Sequence, residues 1–540
     1  MSKLTSAVAR HGSTPWPIYT IFGSALLVVF GLGVQAGTHL NHDISWILYS
    51  AGQMLHGAEF GRDVIPVNPP LAWFLALIPV GIAEQAALDP VAVFRIFTAA
   101  TLVATLAFVL WYLRAEDIQL NEAGLTLLSL ATAYVLFVGC YRDFGQREHL
   151  AFAYSLPYIL LAAGRMDGRS YPLAISIPVG LAAGLGLALK PYFLAVPLLV
   201  ELLGVLRTRS LYFPFRSETI ALAGFMVVYL ASVFVLTPAY VFDIVPMVRP
   251  IYWGFNNDIG LVLYSIRFEL FGFAVAVFLA LNMWAKGQSL QWVLLAAAAG
   301  FLFSYLVQAK GYTYHGQPFR GLLLMLLAMQ WASLIARAGP GEASGETPGE
   351  AKARIASPFV VFIALLAVFS SNAFTAMVWF SIDNRVTGRR AAQIDDLIYL
   401  ANRHAAGDRF LALSTHPFPG FPTAVYSTSE WASRTNSIFF IPVVARLRHL
   451  GEASPHFRDG TLRYAEEKAH SFLLRDLAFS PRLVLVDARP IRHAIGDLTF
   501  DILAFYLEEP RIREIWSRYR ELEPVHGFRV FLLRDPDVAG

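Results

Sequence analysis

The sequence predicts a polytopic α-helical membrane protein with about 11 spans, amphipathic juxtamembrane helices and a small C-terminal α/β soluble domain. Of its 540 residues, 56% are hydrophobic, and the mean hydropathy is +0.52. Many apolar runs approach the roughly 20 residues that a helix needs to cross a bilayer. Residues 381–540 hold 41 of the 81 charged side chains. We therefore predict a transmembrane domain at 1–380 and an α/β domain at 381–540.

Each predicted element follows from the spacing of its apolar residues. Eleven runs approach the length of a span, at 17–37, 91–113, 122–140, 150–164, 173–189, 191–206, 219–237, 261–283, 291–307, 320–336 and 358–379. Two shorter segments, 44–56 and 71–82, are predicted as helices at the membrane surface or re-entrant helices. In the C-terminal domain we predict helices at 390–404 and 510–523 and strands at 410–414, 483–486 and 528–533.

Charge and cysteine content exclude some functions. The net charge of +3 without a dense basic run excludes nucleic acid as a partner. The single cysteine, Cys140, excludes an intrachain disulfide. With eleven spans and an N-terminus inside, the C-terminal domain lies on the outer face, and the slight excess of Lys and Arg in the inner loops agrees with this topology.

Four polar segments then fall on the outer side. Their chemistry-bearing residues are Asp43, Asp63 and Asn68 in the first, Tyr141, Arg142, Asp143, Arg147, Glu148 and His149 in the second, Lys190 in the third, and Lys310, Tyr312, Tyr314, His315 and Arg320 in the fourth. Cations bind phosphate, carboxylates accept a proton from an attacking hydroxyl, and aromatic faces lie against sugar rings. A lipid-linked phosphosugar meets all three requirements.

The order of elements adds a resemblance. A first span, a loop with the early Asp43, the motif Pro69-Pro70-Leu71, alternating spans and a C-terminal outer domain resemble the GT-C glycosyltransferases. Within them, the chain is similar to the protein O-mannosyltransferases and the lipid A aminoarabinose and galacturonic acid transferases over most of residues 15–335. The resemblance implies a GT-C-like fold and inverting transfer of one sugar from a polyprenyl-phosphate donor to a hydroxyl of an envelope glycolipid, polysaccharide or protein. It also implies a multi-pass protein among the lipids of a bacterial inner membrane, with the C-terminal domain in the periplasm.

The resemblance also suggests roles for single residues. Asp43 matches the position of the family's catalytic base, and Glu148 or Asp143 matches its second outer-loop acid. Lys310, His315 and Arg320 match the positions where the family holds the lipid phosphate. From the chemistry of the polar segments, we also assign Arg142, Arg147 and Lys190 to the donor phosphate, and Asp63, Asn68, Tyr141, Tyr312 and Tyr314 to the sugar or acceptor. Val67-Asn68 stand where the aminoarabinose transferases have Glu-Lys, so a divalent metal ion as cofactor stays an open question.

Structural alternatives exist for most of these residues. Asp43 is also suited to capping a helix that starts at Ile44, and Asp63 to closing a turn. Segment 141–149 suits a solvated loop with internal ion pairs, Lys190 a side chain that reaches the headgroups, and His315 a hydrogen-bonded loop histidine. Arg95, Arg267 and Glu269 are candidates for an ion pair inside the membrane, and 416–422 for a rigid loop. For the whole protein, the alternative functions are a transporter or flippase of a lipid-linked anion and a lipid-anchoring scaffold.

Overall fold

The computed structural model describes residues 17–115, 120–282, 289–337, 348–383, 388–454, 458 and 460–534. All eleven predicted apolar runs form helices within these ranges, as do the two shorter segments. The α-helices of five residues or more in the described part of the chain up to residue 383 are α1 (Ile18–Ala36), α2 (His42–Leu55), α3 (Leu71–Ala86), α4 (Pro90–Ala115), α5 (Glu122–Phe137), α6 (Arg147–Met166), α7 (Leu173–Leu187), α8 (Ala195–Thr208), α9 (Ser217–Leu236), α10 (Ile259–Ser265), α11 (Arg267–Asn282), α12 (Ser289–Gln308), α13 (Gln317–Arg337) and α14 (Pro348–Asp383).

The number of helices able to cross a membrane is lower than the number of predicted runs. By length and composition, seven helices in the described residues qualify, and the bent pair α10 and α11, which meet at 70°, makes an eighth. Helices α5 and α7 are apolar but shorter, and α6 carries charged residues at both ends. The chain is therefore a multi-pass membrane protein in which three of the eleven predicted spans are short or polar helices.

The chain forms two compact units. The first, called here the helical unit, comprises Met1–Gly37, Arg95–Tyr229 and Asn257–Phe380. The second, the mixed unit, comprises Thr38–Phe94, Leu230–Asn256 and Ser381–Gly540. The predicted domain boundary after residue 380 coincides with the last junction between the units, but the mixed unit also takes in two earlier segments.

Helices α12 and α13 form the centre of the helical unit. About two thirds of the apolar window of α12 and 78% of that of α13 are buried, against 11% for α9. Helix α12 packs on α6, α8 and α13. A Cβ atom added to Gly300 of α12 would lie 2.7 Å from the Cα of Val196, so these two backbones approach too closely for any larger residue.

The mixed unit contains a five-stranded sheet. After residue 388 its elements are α15 (Arg389–Ala405), β1 (Arg409–Leu413), α16 (Gly420–Tyr426), β2 (Glu430–Trp431), α17 (Ile441–Leu450), α18 (Thr461–Leu477), β3 (Leu483–Asp487), α19 (Ile502–Tyr506), α20 (Pro510–Trp516), β4 (Tyr519–Val525) and β5 (Phe528–Leu533). The strand order in the sheet is β2-β1-β3-β5-β4. Strand β1 runs parallel to β2 and β3, whereas β5 runs antiparallel to β3 and β4. The predicted helix at 390–404 and the strands at 410–414, 483–486 and 528–533 are confirmed.

One predicted element of this unit is wrong in part. The helix predicted for 510–523 ends at Trp516, and Tyr519–Val525 form strand β4. Glu521 on β4 accepts hydrogen bonds from Arg529 on β5, with an Nε to Oε1 distance of 2.7 Å. Pairing with β5 and this cross-strand ion pair outweigh the helical preference of the sequence.

Long-range hydrogen bonds join the early and late segments of the mixed unit. The Tyr49 hydroxyl on α2 accepts the backbone N–H of Trp431 at 2.8 Å. The Tyr426 hydroxyl on α16 accepts the backbone N–H of Leu40 at 3.1 Å. Helix α2, which carries Asp43, is therefore held by residues that lie almost four hundred positions later in the chain.

Candidate functional site

Four helix ends of the helical unit meet around one ion pair. Glu148 lies in the first turn of α6, and Lys190 precedes the 3-10 turn Pro191–Leu194 that leads into α8. His315 lies in the 3-10 turn Thr313–Gly316 before α13, and Gln308 is the last residue of α12. The structure thus brings together the second, third and fourth predicted polar segments.

Lys190 is the centre of this group. Its Nζ donates to Glu148 Oε1 at 2.5 Å and to Gln308 Oε1 at 3.0 Å, and it lies 3.2 Å from His315 Nε2. His315 Nε2 lies 3.6 Å from the same Glu148 oxygen. A carboxylate oxygen, an amide oxygen and a ring nitrogen surround the ammonium group and fix its position, so Lys190 does not extend to the lipid headgroups.

The site carries more buried positive than negative charge. Glu148 is completely buried, and Lys190, Arg147 and Lys310 are 4%, 5% and 7% exposed. Lys190 lies outside the apolar helices, and burial lowers its pKa to about 8, although the Glu148 carboxylate opposes this and the charges of Arg147 and Lys310 add to it. The charges of Arg147 and Lys310 thus act on Lys190 together with the Glu148 carboxylate.

Aromatic rings line the same group. The Tyr314 ring packs edge-on against His315, with ring centroids 4.4 Å apart, and Lys190 Nζ lies 5.7 Å from the Tyr314 centroid. Tyr312 packs against Tyr314 at 5.7 Å, and Lys310 Nζ lies 5.9 Å from the Tyr312 centroid. Tyrosines placed beside cations in this way offer faces for a sugar ring next to a phosphate.

The second polar segment is folded back onto α6 rather than solvated. His149 Nδ1 accepts the backbone N–H of Gly145 at 3.1 Å, and its Nε2 donates to the carbonyl of Leu136 at 2.9 Å. Tyr141 and Asp143 lie in a 3-10 turn, with Tyr141 buried and Asp143 half-buried. The Arg142 guanidinium lies 4.5 Å from the ring centroid of Trp379.

Arg320 is engaged in an ion pair between two helices. Its Nε donates to Glu269 Oε1 at 2.7 Å, which joins α13 to α11. The alternative that paired Glu269 with Arg267 or Arg95 is therefore replaced by this pair. Arg267 instead lies over Tyr264, with its Cζ 4.1 Å from the ring centroid.

Asp43, Asp63 and Asn68 belong to the mixed unit. Helix α2 starts at His42, and its N-cap is Asn41, whose side chain accepts the backbone N–H of Asp43 at 2.9 Å. The alternative that Asp43 caps a helix starting at Ile44 is therefore wrong, and its carboxylate, with 16% of the side chain exposed, lies 3.8 Å from His42 Nε2. Exposed Asp63 closes a turn by accepting the N–H of Glu59, and Asn68 is half-buried before α3.

The sequence did not predict the contacts of two polar residues in the helical unit. Gln308 was not singled out, and Glu269 was not paired with Arg320. Both are polar residues in apolar helices, and such residues usually have a partner or a function. Within the described part of the chain, no group of three or more His, Cys, Asp or Glu side chains could hold a metal ion.

Comparison with solved structures shows which known fold the chain shares. No family model matches the chain, and no curated protein matches it by sequence. Among solved structures, the chain is similar to ArnT from Cupriavidus metallidurans, whose crystal structure contains bound undecaprenyl phosphate. The TM-score is 0.54 at 12% identity, and the match covers 95% of this chain and 97% of that chain. The predicted GT-C-like polytopic fold with a small C-terminal α/β domain is thereby confirmed.

Proposed function

We propose that this protein is an inverting glycosyltransferase that moves a single sugar from a polyprenyl-phosphate donor to a hydroxyl of an envelope glycolipid, polysaccharide or protein. The reaction takes place at the outer face of the bacterial inner membrane, with the C-terminal domain in the periplasm. The fold shared with a protein that binds undecaprenyl phosphate supports the class of donor. No nucleotide takes part.

The observation that carries this proposal is the group formed by Arg147, Lys190 and Lys310 around buried Glu148. Removing several like charges from water is costly unless opposite charges compensate them. Because Arg147, Lys190 and Lys310 are buried close enough for their charges to act on one another, the group is suited to binding an anionic part of a substrate. A phosphate ester is the anion that a membrane-embedded cluster of Lys and Arg beside tyrosines fits best.

In the proposed reaction, the acceptor hydroxyl attacks the anomeric carbon of the donor sugar. A new carbon–oxygen bond forms as the bond to the phosphate oxygen breaks, and the bonding electrons leave with the polyprenyl phosphate. Asp43 takes the proton of the hydroxyl as general base. Arg147, Lys190 and Lys310 stabilise the charge that develops on the leaving phosphate, which is where fixed cations lower the barrier most.

The remaining site residues take supporting roles. Glu148 acts as a positioning residue, because its completely buried carboxylate is bonded to Lys190. Tyr312 and Tyr314 lie against the sugar. The ion pair with Glu269 makes Arg320 a structural residue that contributes its field to the phosphate site.

The test is Asp43→Asn in cells that otherwise lack the protein. Mass spectrometry of envelope lipids, polysaccharides and proteins from these cells measures whether a mass increment of one sugar, restored by the wild type, is missing. We expect no restoration by the variant, while the purified variant binds undecaprenyl phosphate as tightly as the wild type. The matched control is Asp501→Asn, because Asp501 caps α19 in the same unit and Asn caps helices equally well.

Two results would contradict the proposal. If Asp43→Asn restores the sugar increment fully, Asp43 is not the base. If wild-type protein instead changes only the distribution of a lipid-linked anion across the membrane and Asp43→Asn retains that activity, the chain is a flippase.

A further inference from the structure

Two loops of the C-terminal sheet leave from the same edge. Strands β1 and β3 are parallel neighbours that end at Leu413 and Asp487, so the loops 414–419 and 488–501 start side by side. In open α/β sheets, the carboxyl ends of parallel strands are where ligands and catalytic groups gather. The first of these loops carries His416, and the second carries His493.

These two histidines and His42 form a row of three imidazole rings in the mixed unit. The ring centroids of His42 and His416 are 4.3 Å apart, and those of His416 and His493 are 4.9 Å apart. At the end of the row, His42 Nε2 lies 3.8 Å from Asp43 Oδ1. The row therefore extends from the edge of the C-terminal sheet to the carboxylate at the start of α2.

Backbone contacts fix the orientation of the central ring. The backbone N–H of Phe418 donates to His416 Nδ1 at 3.0 Å, so Nδ1 carries the lone pair and the proton of the neutral ring is on Nε2. The Thr415 hydroxyl donates to the carbonyl of His493 at 2.6 Å, which ties the two loops together. His416 is thus held by contacts of its own loop and of the neighbouring loop that carries His493.

The environment keeps His416 uncharged. Burial lowers its pKa well below the usual range, and the charges of His42, His493 and Arg390 act in the same direction, while Asp43 opposes them. A neutral ring with a fixed tautomer is a suitable neighbour for a residue that must keep one orientation through a reaction cycle.

We propose that His416 is a positioning residue of the catalytic site: the C-terminal domain supplies it to hold His42, and through His42 the carboxylate of Asp43, in the orientation in which Asp43 accepts the proton of the acceptor. This inference rests on the proposed role of Asp43. It assigns the C-terminal α/β domain a part in catalysis, through an edge of its sheet that already carries His493 beside His416.

The experiment compares His416→Phe with His416→Gln in the full-length protein. Phe keeps the ring but removes both nitrogens, whereas Gln keeps an acceptor for the Phe418 N–H and an N–H donor. We expect Phe to lower the initial rate of sugar addition to envelope glycans by about 10- to 100-fold, the scale at which a misplaced catalytic group acts. Gln should restore most of the rate. Binding of undecaprenyl phosphate should change less than twofold in both variants.

The control is His470→Phe, because His470 stacks on Phe505 in the same unit at 4.6 Å and lies outside the row. It should transfer sugar at the wild-type rate. The inference is overturned if His416→Phe transfers normally, or if its rate falls together with its melting temperature and Gln does not restore it. Asp43→Asn, measured in parallel, separates the two proposals. If Asp43→Asn is active, Asp43 is not the base and the proposed function is contradicted. If Asp43→Asn is inactive and His416→Phe is fully active, only the role of His416 is contradicted.

Discussion

The buried ion pair of the helical unit predicts an asymmetry between its two partners. In Lys190→Met, the Glu148 carboxylate loses the cation that is bonded directly to its Oε1, while its Oε2 makes no hydrogen bond to any residue that the structure describes. Removing one partner of a buried pair costs about 3–5 kcal/mol. In Glu148→Gln, the amide oxygen still accepts from Lys190, which also keeps Gln308 and His315 as neighbours. The pKa of Lys190 is already about 8, so losing its charge near that pH is inexpensive, and we expect a cost of about 1–2 kcal/mol.

The assay is unfolding of the purified protein in mixed micelles at pH 8, with both single variants and the double variant. Lys190→Met should lower the free energy of unfolding by about 2–3 kcal/mol more than Glu148→Gln does, as the difference between the two costs above. The double variant should be more stable than Lys190→Met alone, because the amide replaces the buried carboxylate that has lost its hydrogen-bond donor. Equal losses for the two single variants, or a double variant whose loss equals their sum, would refute the reasoning.

Three further predictions follow from other sites. The pKa of Lys190 is about 8, so binding of undecaprenyl phosphate to the charged lysine requires proton uptake above that pH. The Kd for undecaprenyl phosphate, measured by titration, should therefore rise up to tenfold per pH unit between pH 8.5 and 10. A Kd that stays constant over this range contradicts a phosphate role for Lys190. Burial raises the pKa of Asp476 from 3.8 to about 7, so its carboxyl group destabilises the fold progressively as the pH rises from about 4 to 7. The free energy of unfolding of Asp476→Asn, relative to that of the wild type, should therefore increase by up to about 4 kcal/mol between pH 4 and pH 8. A difference that does not depend on pH would exclude this cause. Gly300→Ala should lower the free energy of unfolding by about 1–3 kcal/mol, because the new Cβ would meet Val196. Gly224→Ala has open space around it and should be neutral or stabilising by up to about 1 kcal/mol. Similar melting temperatures for the two variants would contradict this packing.

The sequence predicted the helices well because each is recorded locally in an apolar run. All eleven runs are helical, and α2 and α3 occupy the two predicted shorter segments. Strand β4 was missed because its residues become a strand only through pairing with β5, which no local pattern records. The assignment of 38–94 to the same compact unit as the C-terminal domain was likewise beyond the sequence, since it depends on contacts such as Tyr49 with Trp431.

The site was predicted in composition but not in pairing. Glu148, Lys190 and His315 stood out because charged or titratable residues between apolar helices are rare. Which of them bond to each other depends on the packing of α6, α8 and α12, and the sequence carries no signal for it. The row of histidines escaped for the same reason, since His42, His416 and His493 come from three distant segments.

The order in which the mixed unit is assembled has consequences for biogenesis. Its first segment, Thr38–Phe94, emerges from the ribosome nearly three hundred residues before Ser381–Gly540, and two of the three segments of the helical unit lie between them in the chain. During synthesis, α2 therefore waits without the hydrogen bonds that Tyr426 and Trp431 later provide, exposed to chaperones and proteases. A premature stop codon late in the reading frame would thus leave the N-terminal segment without its support, and such truncated chains would be cleared by quality control instead of surviving as a separate membrane domain.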